Sequence, residues 1–278
     1  MDIDLEATRN IDYQDSYVAF LDVLGFKELV LGKTTESQNM LASYFGIVGE
    51  VIKYLNRIPS KKDIGSIVIS DSIIFSVPLK NDGGQDNLQQ LCIAVGLLQQ
   101  HLALKNIWLR GGISFGKTYF DKRNNQIVGP AYINAFELES KIAKYPRVVL
   151  DSAIIAKTGH TDYESFCAFL NEEHHGGIRA SNWGKNIIYN GKNMQGEDVG
   201  TINKDVPLFI DYLSPLLQNQ KPRLTTVVNN LTTSIYKNGD VYAKFRWVAD
   251  YLISVCQIEI DNSDDIFAKN MLATLRRL

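Results

Sequence analysis

Residues 17–30, YVAFLDVLGFKELV, decide the fold. Tyr17 to Leu21 is an apolar run of strand character that sets one carboxylate, Asp22, at its end. Gly25 lets the backbone turn tightly, and Phe26 to Val30 opens a helix. A second run, Ile67 to Pro78 (IVISDSIIFSVP), holds two apolar strand-like segments with Ser70, Asp71 and Ser72 between them. Together the runs predict two carboxylates on central strands, beside a turn that feeds a helix amino terminus. Magnesium-assisted phosphate chemistry needs such parts: hard oxygen ligands for the ion and backbone N–H groups for the phosphates.

Outward from these runs, residues 1–15 read as a flexible arm. After the first strand a long helical segment runs to about Arg57, with Met40, Tyr44, Ile47, Val48, Val51 and Leu55 at helical spacing. Pro59 and Lys61–Lys62 make a turn. A hairpin around Asp71 follows, closed by Pro78 and the polar loop Lys80–Asp86. Leu88, Leu91, Val95, Leu98 and Leu102 mark a second amphipathic helix, and Ile107–Phe115 the next strand. A return at Lys117–Asp121 leads to a turn at Lys122–Asn125. Gly129–Pro130 opens a third helix, with proline where its missing N–H costs nothing, and Pro146 ends it before a short strand, Arg147–Leu150.

The order strand, helix, two strands, helix, strand is the split βαβ plan of ferredoxin-like and palm domains, an α+β architecture. Past about residue 155 the text is less regular. Residues 171–205 are rich in Gly, Asn and charge, with a strand at Asn186–Tyr189, and Leu208–Leu213 suits another. From Pro215 two helices are expected, about 215–237 and 240–260. The predicted organisation is an arm (1–15), a catalytic-type domain (16–205) and an extension of one strand and two helices (206–278).

Composition narrows the class. At 278 residues, 45% hydrophobic and 22% charged, the chain is ordinary for a soluble globular protein. A net charge of -2 gives no electrostatic reason to expect a nucleic acid as partner. No apolar stretch approaches the roughly 18 residues that span a membrane. The beginning, MDIDLEATRNIDYQD, suits neither a signal nor a transit peptide, so a cytoplasmic location is expected. Cys92, Cys167 and Cys256 read as reduced core cysteines, with no disulfide framework or zinc spacing.

Each candidate residue has a bland reading beside the chemical one. Asp22 could be a turn carboxylate. Asp71, inside a run as apolar as IVI…IIF, must be solvated, hydrogen-bonded or liganded, because a bare buried carboxylate is costly. Gly111 to Thr118, GGISFGKT, matches the phosphate-loop pattern letter for letter. A P-loop NTPase would need a helix after it, and YFDKRNNQ reads as strand and turn instead. The glycines suit close backbone approach within a sheet better. Arg110 is either a rim arginine or a guanidinium fixed towards a phosphate or base. Asn134, Glu137 and Lys141 share one side of the third helix, which suits a solvated face. His174–His175 could bind metal, but their glycine-rich polar setting suits an exposed loop better.

The sequence also resembles a family. FLDVLGF (Phe20–Phe26) is similar to the first metal motif of class III nucleotidyl cyclases, and ISDSIIF (Ile69–Phe75) falls where their second metal aspartate lies. LRGGISFG (Leu109–Gly116) and VGPAYINAFELES (Val128–Ser140) resemble the strand, hairpin and helix that follow. That last stretch with YPRVVLD (Tyr145–Asp151), and AKFRWVADYL (Ala243–Leu252), resembles more closely the pyrimidine cyclases of Pycsar antiphage systems. The resemblance covers most of residues 17–252.

It implies a class III cyclase-type α+β domain with a helical carboxy-terminal extension. The implied reaction turns UTP or CTP into the 3′,5′-cyclic monophosphate and pyrophosphate, yielding an antiviral second messenger. Asp22, Asp71 and the carbonyl of Val23 would hold two Mg²⁺ or Mn²⁺ ions. Backbone N–H groups of Leu24, Gly25, Phe26 and Lys27 would meet the phosphates. A head-to-tail homodimer is implied, with aspartates from one subunit and the third helix from the other. Purine cyclases carry an Asn-x-x-x-Arg pair on that helix; here Asn134 is followed four positions on by Leu138. With Asn134, Arg110 and Lys141 as catalytic candidates and Arg147 as substrate-binding, the missing cationic charge would come from Arg110, Lys141 or Arg147. The departure fits a pyrimidine substrate, and equally a weakened cyclase-like module that binds nucleotide without turnover.

Overall fold

The structure, a computed structural model, describes residues 8, 10–57, 64–79, 85–171, 186–189, 208–237 and 239–278. The expected turn at Pro59–Lys62, the histidines 174–175 and most of the Gly- and Asn-rich stretch lie outside the described residues.

The apolar run becomes the middle of β1 (Gln14–Leu24), buried from Ser16 to Leu21. The strand outlasts the run at both ends because its ladders continue, Gln14 opposite Thr118 and Leu24 opposite Trp108. Gly25, at φ 74°, turns the chain into the short helix α1 (Phe26–Leu31). The expected single helix is broken before α2 (Thr35–Arg57), where the Thr34 hydroxyl accepts the Ser37 N–H at 3.1 Å and caps a new start. Strands β2 (Gly65–Ile69) and β3 (Ser72–Pro78) form the hairpin, and α3 (Gln85–Ala103) leads to β4 (Trp108–Asp121).

Residues 117–121, expected as a return, instead continue β4. Pairing with β1 holds the backbone extended to Thr118, and the return is β5 (Gln126–Val128). Helix α4 (Pro130–Glu137) runs on as a π-helical turn, Leu138–Ile142, and the chain then enters β6 (Val148–Leu150). Beyond lie α5 (Ala153–Lys157), α6 (Tyr163–Asn171), β7 (Ile188–Tyr189) and β8 (Phe209–Ile210). Four helices finish the described chain where two were expected: α7 (Ser214–Asn219), α8 (Lys221–Ile235), α9 (Gly239–Ser263) and α10 (Ile266–Leu275). Two of the extra boundaries are local: Pro222 sits in the first turn of α8, and the Asp265 carboxylate caps α10.

The mixed sheet runs β2-β3-β1-β4-β6-β8-β7, with β5 on β4. Its first four strands are all antiparallel, in the order of a split βαβ plan, and β6 joins parallel to β4. The architecture is α+β with a helical carboxy-terminal part.

Alternation along β1 sends Tyr17, Ala19, Leu21 and Val23 to one face and Val18, Phe20, Asp22 and Leu24 to the other. The first face packs with Tyr44, Val48 and Val51 of α2 and Leu91, Val95 and Leu98 of α3. On the second face Val18, Phe20, Ile67 and Ile74 meet Ala131 and Ala135 of α4. Farther along that face Trp108, Val149, Tyr189 and Phe209 pack with the carboxy-terminal helices, and Leu24 leans on them. Asp22 therefore falls between two helical covers. Cys92, Cys167 and Cys256 are free and buried. Among the described residues no helix is long and apolar enough to cross a membrane.

Candidate active site

On the second face Asp22 has Ser72 opposite it on β3 and Arg110 opposite it on β4. Asp71 reaches the same place through the hairpin turn, where Ser70 adopts φ 58°. The turn is pinned to the end of β1: the Val23 N–H donates to the Asp71 carbonyl at 3.2 Å. The Tyr44 hydroxyl donates to the Ser70 carbonyl at 3.0 Å. Burial raises the Asp22 pKa; Arg110 opposes that, the Asp71 charge adds to it, and Lys244 of α9 opposes it again. The same two aspartates, after burial, push the Tyr44 phenol upward.

Arg110 is the pivot. Its Nε donates to Asp22 Oδ2 at 3.1 Å, and its Nη2 lies 2.7 Å from Glu139 Oε1. The second contact is an ion pair rather than a well-aligned hydrogen bond. Glu139, 5% exposed, belongs to the π-helical turn. Burial raises its pKa against the pull of Arg110, and Asp22 and Asp71 push in the same direction as burial. Sequence reasoning passed Glu139 over. Its signal was the spacing Ala131, Ala135, Glu139, which continues the sheet-facing stripe of the helix. The helix comes this close because residue 112 is glycine: a Cβ there would stand 2.4 Å from the Leu138 Cβ and 2.7 Å from the Ala135 carbonyl oxygen.

The other candidates divide. Leu24, Gly25, Phe26 and Lys27 make the strand-to-helix turn beside Asp22. The Phe26 ring is buried against Tyr44, at 5.4 Å between centroids, so only its backbone faces outward chemistry, whereas Lys27 is exposed. Asn134 is exposed on α4, and Lys141 is exposed and paired with Glu137 at 2.9 Å. Among the described residues neither pairs with Asp22 or Asp71 of its own chain. Arg147 is buried, its guanidinium 5.5 Å from the Tyr145 ring and 5.3 Å from the Trp247 ring, and its carbonyl accepts the Gly111 N–H next to Arg110 at 3.0 Å. Gly111–Thr118 lies wholly inside β4, and the residues after it are strand and turn, so no helix completes a phosphate loop.

Among the described residues no three His, Cys, Asp or Glu side chains gather tightly enough to hold a metal. Two carboxylates and a carbonyl nevertheless suit Mg²⁺ or Mn²⁺, which keep water and take substrate phosphates as further ligands. Asp22, Asp71 and Val23 supply that kind of donor set. The push of the Asp71 charge on the Asp22 carboxyl is the observation that a cation would relieve.

No family model matches the chain, and no curated protein does either. Among solved structures, it is similar to the guanylyl cyclase Cya2 at 15% identity, covering 73% of this chain and 92% of that one, with a TM-score of 0.39. It is also similar to a class III adenylyl cyclase-like ATP-binding protein from Pseudomonas aeruginosa at 11% identity and a TM-score of 0.38. That match covers 59% of this chain but 38% of the other. At these scores the likenesses decide nothing about chemistry.

Proposed function

We propose that the chain is a divalent-metal-dependent nucleotide cyclase acting on UTP or CTP. Its product would be cUMP or cCMP, a cytoplasmic messenger in antiphage defence. One observation carries the reaction class: Asp22 and Asp71, from neighbouring strand ends, share one notch of the sheet with a guanidinium, beside a turn into a helix. The pyrimidine base and the defence role rest on the resemblance of the motifs from Phe20 to Leu252.

In the reaction the ribose 3′-oxygen forms a bond to the α-phosphorus, the bond to the pyrophosphate oxygen breaks, and the 3′-hydroxyl proton leaves. Asp22 and Asp71, with the Val23 carbonyl, would hold Mg²⁺ or Mn²⁺. Such ions, when bound, lower the pKa of the hydroxyl and screen the triphosphate. Backbone N–H groups from Leu24 to Lys27 would meet phosphate oxygens, the first helical turn having donors without intrahelical partners. Arg110, paired with Asp22, is suited to the charge that builds on the phosphates.

Asn134 and Lys141 would act across a homodimer. The exposed side of α4 that carries Asn134 also shows Ile133 and Phe136, at 53% and 46% exposure, an apolar surface suited to a second copy. Arg147 would shape the site from behind, through its aromatic clamp. The test is a product assay of purified protein with Mn²⁺ and each of ATP, GTP, CTP and UTP, resolved by mass. A cyclic pyrimidine monophosphate is expected. A cyclic purine would overturn the base assignment alone. Metal-dependent nucleotide binding without product would replace the enzyme by a binding module.

A further inference from the structure

We propose that Glu139 is a positioning residue: it holds the far end of Arg110, so that the guanidinium can release Asp22 to a divalent cation. The inference rests on the metal-dependent reading above. A guanidinium presents its N–H groups as a rigid fork, and a lone carboxylate in front of it is readily gripped by two of them at once. Here the fork is split. Nε reaches Asp22 Oδ2 at 3.1 Å, while Nη2 is drawn to Glu139 at 2.7 Å. Asp22 thus receives one donor from Arg110 instead of a bidentate clamp.

The fold holds Glu139 to that task. The π-helical turn, with the Ala143 N–H bonded to the Leu138 carbonyl at 2.8 Å, lies on the sheet at Gly112. Its neighbours Glu137, Ser140 and Lys141 are exposed, whereas Glu139 is buried against β4. A π turn inside a helix is uncommon and recurs at working sites. With Arg110 anchored to Glu139, a cation at Asp22 would not have to expel the arginine from the site.

The test is a Mn²⁺-binding titration without nucleotide, read by electron paramagnetic resonance of the free ion. It compares the unaltered chain, Glu139→Gln, Arg110→Gln and the double variant, each checked for its thermal unfolding midpoint. Glu139→Gln should weaken Mn²⁺ binding about tenfold with Arg110 present, and about twofold or less in the Arg110→Gln background. Equal weakening in both backgrounds would mean that Glu139 acts only through its own field, and no weakening would mean no role; either overturns the proposal. Should Glu139→Gln not fold, Glu139→Asp enters the same cycle, with a smaller loss expected that again requires Arg110. Failure of the unaltered chain to bind Mn²⁺ would bring down the metal reading itself. Mn²⁺ binding by the unaltered chain that ignores Glu139 would bring down this inference alone.

Discussion

Asp22 and Asp211 are both carboxylates whose pKa burial raises, yet their surroundings differ in kind. Asp211, 1% exposed at the end of β8, accepts from the Tyr251 hydroxyl of α9 and from the Ser214 N–H at 3.1 Å. Its described partners are neutral donors fixed by their own elements, and they tie the sheet to the carboxy-terminal helices. Asp22, with its side chain 19% exposed, is balanced by Arg110 and crowded by Asp71. Neutral donors in a core hold a carboxylate to one place. Charges at the edge of a notch let it exchange one partner for another. The first arrangement suits stability, and the second suits the chemistry proposed for Asp22.

The sharpest way to break this contrast is to neutralise the edge carboxylates. Asp22→Ala or Asp71→Ala should lower cyclase turnover on the order of a thousandfold, with the unfolding midpoint little changed, as product formation and thermal melts would report. Folded variants of both that keep full turnover would end the metal-site reading. Asp211→Ala should do the reverse. It strands the Tyr251 hydroxyl and the Ser214 N–H and should cost about 1–3 kcal/mol in urea unfolding, while turnover of the folded protein stays close to normal.

Acidity sharpens the same contrast. The folded pKa of Asp211 is raised, so its contribution to stability is complete below the unfolded value of about 3.9 and is lost as pH rises through the folded value. Measured against Asp211→Asn, the parent should therefore lose relative stability as pH climbs from about 4 towards neutrality.

Gly112→Ala joins the two behaviours. Its Cβ would press on Leu138, cost about 1–3 kcal/mol by overpacking, and also lower turnover by shifting the turn that carries Glu139. Denaturant melts and turnover should fall together. The smallest effect belongs to Lys244, partly exposed on α9 but close enough to favour ionised Asp22. Lys244→Ala should raise the KM for nucleotide by about two- to fivefold, the scale of a screened surface charge. An unchanged KM would show that the carboxy-terminal helices only close the core.

Much of the first half of the chain was legible because its signals are local. Apolar runs mark β1 and the β2–β3 hairpin, and Gly25 marks the turn between β1 and α1. The polarity of YFDKRNNQ argued correctly against a helix after GGISFGKT, so a letter-perfect phosphate-loop match sits inside β4. Reading those glycines as sites of close approach also holds, at Gly112. The break at Thr34 and the starts at Pro222 and Asp265 were local too, but were hidden by continuous helical spacing on both sides.

What could not be read depends on residues far apart in the chain. Arg110 left two readings open, and only the register shows that it lies opposite Asp22 and pairs with it. Arg147 stood as a substrate-binding candidate, and nothing in the sequence signalled that Trp247, a hundred residues on, would pack over it. Glu139 was hidden among Glu137, Ser140 and Lys141, because helical spacing says which residues share a side but not which side meets the sheet. Alternation and spacing are properties of neighbours, so the chain alone placed Asp22 and Asp71 at strand ends. Whether a charge is buried, paired or left at an edge depends on which distant element packs against it, and that follows from the balance of burial and desolvation over the whole fold.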